Sequence, residues 1–417
     1  MVAGGLLALS ALLAQAGAQI EAGARIETRV GEVPEPTEQT EVVVLATPSL
    51  RLHWFAGVDD FQTEVATRIL WRPVPLPRSR PLFLETFGVT HTMRPTIRSQ
   101  WHLGLRASYG EQDYTSLSQQ FATQPTLPLS TTMFMIDGAA DTLWRSSRRT
   151  TLSLQLGAVH HRTLDTGSSE STAPTLPTQT TVSATPALHF LLSSYSSVEV
   201  SAPVSDYEIQ EPAGRLPQAR QLNVVSVQPQ VSGLAQLTRD HQLHLIAGLT
   251  YVDVVRGSNA NLGYPVAPIA HVNLFSYLHR DHISSVFSSV GAGTLWFLDP
   301  VLARGVWRGI AQARLDAQMG LRWSAGAGFT FAADVLNPPA AGMDYDATVV
   351  AADSSVRYRW TNVIVAELGG RFTERAPYLS SSEFAWRRRE LWAFLTLYTA
   401  ARMPLSTSRP TKDIIGL

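Results

Sequence analysis

Arg322-Trp323-Ser324-Ala325-Gly326-Ala327-Gly328-Phe329-Thr330-Phe331-Ala332-Ala333 alternates residue by residue. Successive side chains of a strand face opposite sides, so Trp323, Ala325, Ala327, Phe329 and Phe331 point one way. Arg322, Ser324, Gly326, Gly328 and Thr330 point the other. Residues 149–162 repeat the pattern, with Leu152, Leu154, Leu156 and Ala158 opposed to Thr151, Ser153, Gln155 and Gly157. In residues 306–318, Trp307, Ala311, Ala313, Leu315 and Ala317 oppose Arg308, Gln312, Arg314, Asp316 and Gln318. A soluble core could use the same period. Charge in the middle of the polar face, however, suits the water-filled inside of a barrel. An arginine facing lipid at mid-membrane costs about 2–4 kcal/mol, so the charged face is the one that turns inward.

Connections between such segments alternate in length. Tight polar turns occur at Arg145-Ser146-Ser147-Arg148, Thr238-Arg239-Asp240-His241, Leu278-His279-Arg280-Asp281-His282 and Arg359-Trp360-Thr361-Asn362. Longer stretches rich in Pro, Gly, Ser and Thr separate one pair of segments from the next, the longest at 113–130, 163–178 and 209–221. Two-sided strands of about ten residues, with short turns at one rim and long loops at the other, mark a barrel spanning an outer membrane. Strands are predicted over 19–30, 41–55, 61–71, 81–92, 99–112, 131–144, 149–162, 179–192 and 198–208. The series continues over 222–237, 242–256, 267–278, 283–298, 306–318, 322–333, 345–358, 363–375 and 389–401. This makes an all-β, transmembrane antiparallel β-barrel of about eighteen strands, an even number with both ends at the short-turn rim. Parity requires the weak first strand, in which Ile20, Ala22, Ala24, Ile26, Thr28 and Val30 share a face.

Bulk properties agree. A mean hydropathy of +0.01 is what one greasy and one wet face should average to. Net charge is -1, which offers no field for nucleic acid. The absence of cysteine excludes disulfides, thiol catalysis, thiolate metal sites and an acylated cysteine anchor. Leu6-Leu7-Ala8-Leu9-Ser10-Ala11-Leu12-Leu13-Ala14 before Ala16-Gly17-Ala18 reads as a secretory signal over 1–18, with the barrel over 19–401 and a periplasmic tail over 402–417. The expected location is the outer membrane.

Aromatic residues beside the short turns, namely Trp54, Phe55, Trp101, Trp144, Tyr195, Tyr277, Trp323, Tyr358 and Trp360, suit an interfacial girdle. Pro48, Pro186, Pro229 and Pro268 recur in strands that run from long loop to short turn, which predicts a shared bulge or bend. His279, Asp281 and His282 read as turn solvation rather than metal ligands. His160 and His161 are adjacent and so face opposite ways. No Gly-x-Ser-x-Gly or phosphate loop is present, and neither catalysis nor a cofactor is expected. The candidate functional residues are therefore pore-lining: Gln228, Gln230, Gln312, Arg314, Asp316, Gln318, Asp353, Arg357 and Arg371. Mixed sign and many amides suit a polar, nearly neutral solute such as a sugar, though any aqueous lumen is lined in this way.

The chain resembles the outer-membrane β-barrel porins encoded with Wzx/Wzy-type polysaccharide export machinery. The likeness rests on Gln19-Ile20-Glu21-Ala22-Gly23-Ala24-Arg25, Thr47-Pro48-Ser49-Leu50-Arg51-Leu52 and Leu105-Arg106-Ala107-Ser108-Tyr109-Gly110-Glu111-Gln112-Asp113-Tyr114. The closing stretch from Arg371-Phe372-Thr373-Glu374-Arg375 to Leu391-Trp392-Ala393-Phe394 adds to it. The resemblance implies a conduit for a secreted polysaccharide in the lumen, set in outer-membrane lipid. It also implies a periplasmic export or co-polymerase partner and dependence on barrel-insertion machinery. A structural or adhesion barrel and a general diffusion porin are the alternatives. The polar tail after residue 401 departs from barrels that end on an aromatic residue. Either 392–398 serves as an internal insertion signal or the tail meets a periplasmic partner.

Overall fold

The computed structural model describes residues 19–34, 38–56, 58–74, 81–113, 130–164, 178–210, 221–256, 266–299, 304–336, 347–361, 364–377 and 388–400. The expected signal at 1–18, the tail at 402–417 and the three longest loops lie outside the described residues, apart from the strand ends that flank those loops. The described chain is all strand and turn. It begins with β1 (Gln19–Pro34), β2 (Glu38–Ala56), β3 (Asp59–Val74), β4 (Leu82–Thr96) and β5 (Ser99–Asp113). Then come β6 (Ser130–Arg145), β7 (Thr150–Leu164), β8 (Thr178–Leu191), β9 (Ser196–Ser201) and β10 (Val204–Gln210). Next are β11 (Gln221–Val227), β12 (Gln230–Gln236), β13 (His241–Arg256), β14 (Val266–Arg280) and β15 (Ser284–Asp299). The last five are β16 (Arg304–Met319), β17 (Trp323–Leu336), β18 (Ala347–Arg359), β19 (Ile364–Pro377) and β20 (Arg388–Ala400).

All pairings are antiparallel between neighbours, and β1 pairs with β20 from Gly23↔Ala400 to Glu32↔Leu391, which closes the sheet. Segments β9 and β10 are one strand interrupted at Ala202 and Pro203, since Ser201↔Ala187 and Val204↔Ala184 keep a single register against β8. Segments β11 and β12 are likewise one strand interrupted at Gln228 and Pro229. The result is a closed eighteen-stranded antiparallel barrel, as the period-2 pattern predicts.

Apolar side chains cover the outside. Leu103, Leu105, Leu154, Leu156, Val290, Leu315 and Phe329 are all exposed, an arrangement that water would penalise and lipid rewards. Trp54, Trp101, Trp144, Tyr195, Trp323 and Trp360 are exposed near the short turns. Tyr277 departs from the girdle. Its ring meets Phe287 edge-on at 5.3 Å, on the face that points into the barrel. The side chain of Phe55 lies outside the described residues.

Several of the short turns share one chemistry. A Ser, Thr or Asp side chain accepts the backbone N–H groups two and three residues on, which replaces the missing ladder partners. Ser147 Oγ accepts from Arg149 and Thr150, Thr238 Oγ1 from Asp240 and His241, and Asp281 Oδ1 from Ile283 and Ser284. Each turn is also tied to the next hairpin. The N–H groups of Arg145, Leu191, Gln236, Tyr277 and Arg359 donate to the carbonyls of Arg98, Arg149, Tyr195, Asp240 and Arg322 at 2.7–2.8 Å.

The recurring prolines act on the ladders. Pro48, Pro186, Pro229 and Pro268 all fall on the outer face of strands descending toward the short turns. On such a strand a residue's side-chain face fixes which neighbour its N–H and C=O address. Ala202 N donates to Pro186 O and Leu249 N to Pro229 O, at 3.2 and 3.1 Å, so these prolines turn toward the following strand. Each removes one donor from the hairpin it shares with that strand. Between β2 and β3 the pairing skips Thr47 and Pro48, and between β14 and β15 it ends at Ala270↔Thr294, just below Pro268. The expected shared irregularity is a local break in the ladder at each proline, and at Pro268 alone the pairing does not resume above it.

Candidate functional site: the inner wall

Side chains opposite the lipid face line the lumen, and ion pairs organise them. Arg51 on β2 reaches Glu64 on β3 at 3.1 Å and Glu21 on β1 at 3.9 Å. Arg25 pairs with Glu27 on β1. Arg357 on β18 holds Glu367 on β19 at 2.9 Å. Arg314 on β16 meets Asp316 at 2.9 Å and Asp353 on β18 at 3.6 Å. Arg308 on β16 donates two bonds to Asp334 on β17, the pair being the most buried of the set. Signs alternate along the wall from β3 to β1 and from β19 to β16. Arg106 and Arg371 are exposed on the same inner face, opposite Asp137 and Asp353 in register.

All nine residues singled out in the sequence fall on the inner face by register. Arg314, Asp316, Asp353 and Arg357 are brought together in the ion-pair set. Gln230 donates to Ser201 Oγ at 3.1 Å beside the Pro229 interruption, and Gln228 flanks it. Gln312 lies one inward step above Arg314, and Gln318 donates to the carbonyl of Gly320 at the lower rim. Arg371 stands across from Asp353. Sequence reasoning missed Glu21, Arg25, Glu27, Arg51, Glu64 and Glu367. Their signal was available: each alternates with an outward Ile26, Leu50, Val65 or Leu368.

Aromatic rings add a strip low on the same wall. Phe275 and Phe287 stack at 6.2 Å, Tyr277 meets Phe287, and Arg280 lies 5.1 Å from the Tyr277 ring. Asn273, His271 and His244 continue the strip upward as hydrogen-bonding groups on the inward positions of β13 and β14.

His279, Asp281 and His282 sit in the turn between β14 and β15. His279 Nε2 is 3.2 Å from Asp281 Oδ2, and the Ser284 hydroxyl donates to the same carboxylate at 2.6 Å. These donors, with the N–H groups of Ile283 and Ser284, hold the Asp281 carboxyl well below the usual carboxylate range. The carboxylate is occupied as a turn cap, and no cluster of three metal-ligating side chains occurs among the described residues. His160 bonds Thr180 Oγ1 at 2.9 Å on the face away from His161.

Neither a protein-family model nor a curated protein matches the sequence. Solved structures do match in shape. The FrpB iron transporter of Neisseria meningitidis aligns over 90% of this chain and 66% of its own, with 8% identity and a TM-score of 0.51. The fold is that of an outer-membrane β-barrel. A ferric enterobactin receptor of Pseudomonas aeruginosa, PfeA, aligns over 91% of this chain and 81% of its own, with 8% identity and a TM-score of 0.50. OpdQ of the same organism covers 93% and 98%, with 10% identity and a TM-score of 0.50. The chain spans just under two-thirds of the length of the FrpB transporter.

Proposed function

We propose that this barrel is an outer-membrane conduit for a polar, nearly uncharged solute, with a secreted polysaccharide as the cargo class. The observation that carries the reading is the alternating-sign inner wall. Arg51 between two glutamates, Arg357 on Glu367, Arg314 between two aspartates and Arg371 across from Asp353 interleave the two signs, and amides and hydroxyls on the same wall can bond a hydrated polymer. A wall of one sign would instead favour one class of ion. The resemblance to polysaccharide-export barrels supports the polymer over small solutes. A periplasmic export or co-polymerase protein at the short-turn rim is the partner that this reading implies.

Swelling of liposomes that contain the full chain tests it. Neutral oligosaccharides should enter faster than singly charged solutes of equal size. Equal exclusion of every oligosaccharide would contradict the reading.

A further inference from the structure

One stretch of the wall is on the wrong side. Along β15, Val290 and Ala292 face lipid, and Val290 is opposite the outward Leu274 of β14. The register of β15 with β16 then runs without a shift to Asp299↔Arg304, so Trp296 and Leu298 belong to the outer face, as does Trp307 opposite Trp296. Val335, the outer-face neighbour of Trp307 on β17, is 40% exposed. Yet Trp296 and Leu298 are each only 6% exposed. They pack in one cluster with Ile209, Leu222, Val224, Val252 and Ala267, and Tyr207, Val254 and Trp307 flank it.

Those partners all come from the inner face of β10, β11, β13 and β14. The alternation fixes this: Val204, Tyr251, Val255 and Val266 are the exposed, lipid-side residues of the same strands. Outer-face side chains can touch inner-face ones in only one way. The upper end of the β15–β16 hairpin has left the wall and lies inside the mouth, its back against the inner surface of the neighbouring strands. The ladder agrees, because β14 and β15 part above Ala270↔Thr294. Pro268, which lacks an N–H for the next rung, gives its carbonyl to the side chains of Thr294 at 3.2 Å and Trp307 at 3.4 Å. Pro268 thus provides both the break and the latch.

We propose that this hairpin tip is a movable constriction, docked in the extracellular mouth and able to swing back toward the wall to widen the lumen. Two features make the docked state releasable. The hydroxyls of Ser226 and Thr250, on the covered inner face, have no partner among the described residues and would regain water on release. The latch is made of side-chain bonds to one carbonyl rather than a continuous ladder. The inference deepens the conduit reading and rests on it for its function.

Gly305 supplies the test. A Cβ there would come within 2.6 Å of Trp296 Nε1, so Gly305→Ala should dislodge the docked ring. The chain carries no cysteine, so Ser226→Cys, on the inner face that the tip covers, introduces a single reporter for a membrane-impermeant maleimide. In reconstituted full-length protein, Gly305→Ala should raise the labelling rate at position 226 at least about ten-fold, as local opening uncovers the inner wall beneath the tip. Single-channel conductance should rise about two-fold as the constriction clears. Trp296→Ala gives a second release variant if Gly305→Ala does not fold, with folding read from heat-modifiable gel migration. Trp323→Ala, which removes an outer-face ring at the lower rim, should change neither quantity. Wild-type labelling rates in a folded release variant would overturn the movable tip. Faster labelling in a barrel that conducts nothing would keep the tip and overturn the conduit.

Discussion

Asp281 shows how much one turn residue can do. Its carboxylate caps the β14–β15 turn through Ser284 and two backbone N–H groups, which depresses its pKa. A depressed carboxyl contributes stability that is complete above the unfolded value of about 3.9 and is lost only as pH falls through the lower folded value. The difference in urea midpoint between wild type and Asp281→Asn should therefore be no smaller at pH 5 than at pH 7 and shrink only in stronger acid. A difference that fades between pH 7 and pH 5 would show that the cap is not what the carboxylate supplies. Arg308 and Asp334 behave differently because the pair is largely covered, at 13% and 3% exposure. Removing one partner strands the other charge, so Arg308→Ala should cost about 3–5 kcal/mol in unfolding measurements, far more than Arg51→Ala at its half-exposed site. Residue identity was legible at both places. The pairing Arg308↔Asp334 was not, since it depends on a register between strands that alternation within one strand does not encode.

Strands were the most legible elements. Period-2 alternation and Ser/Thr/Asp turns place each of the eighteen within a few residues of its observed span, including the weak β1, whose outer face Ile26 and Val30 present to lipid. Tyr277 was misplaced because nearness to a turn was weighed over alternation. Counting inward and outward positions from Leu274 already puts it inside. The inward fold of the β15–β16 tip lay beyond the sequence for a physical reason. Trp296 and Leu298 alternate identically whether their apolar face meets lipid or the inner surface of β11 and β13. The prolines were visible as a recurrent mark, but their effect depends on which neighbour each N–H would have faced. Pro268→Ala restores that donor toward β15. It should extend the β14–β15 ladder upward and increase amide exchange protection near Thr294. Unchanged protection there would mean that the tip leaves the wall for packing reasons alone.

At the scale of the whole molecule, one pattern accounts for the composition, the location and the lumen. A hydropathy near zero, a net charge of -1 and alternating ion pairs all follow from a sheet with a lipid side and a water side, closed by β1 on β20. The lining residues were partly legible because charge in an alternating strand has only one tolerable direction to face across a membrane. What the lumen carries is less so, since a wet interior of mixed sign serves many polar solutes. Single-channel recording of the full chain in a planar lipid bilayer tests the central claim most directly. Discrete conductance steps with weak preference between potassium and chloride are the predicted result, and folded, inserted protein that gives no steps at any voltage would contradict it.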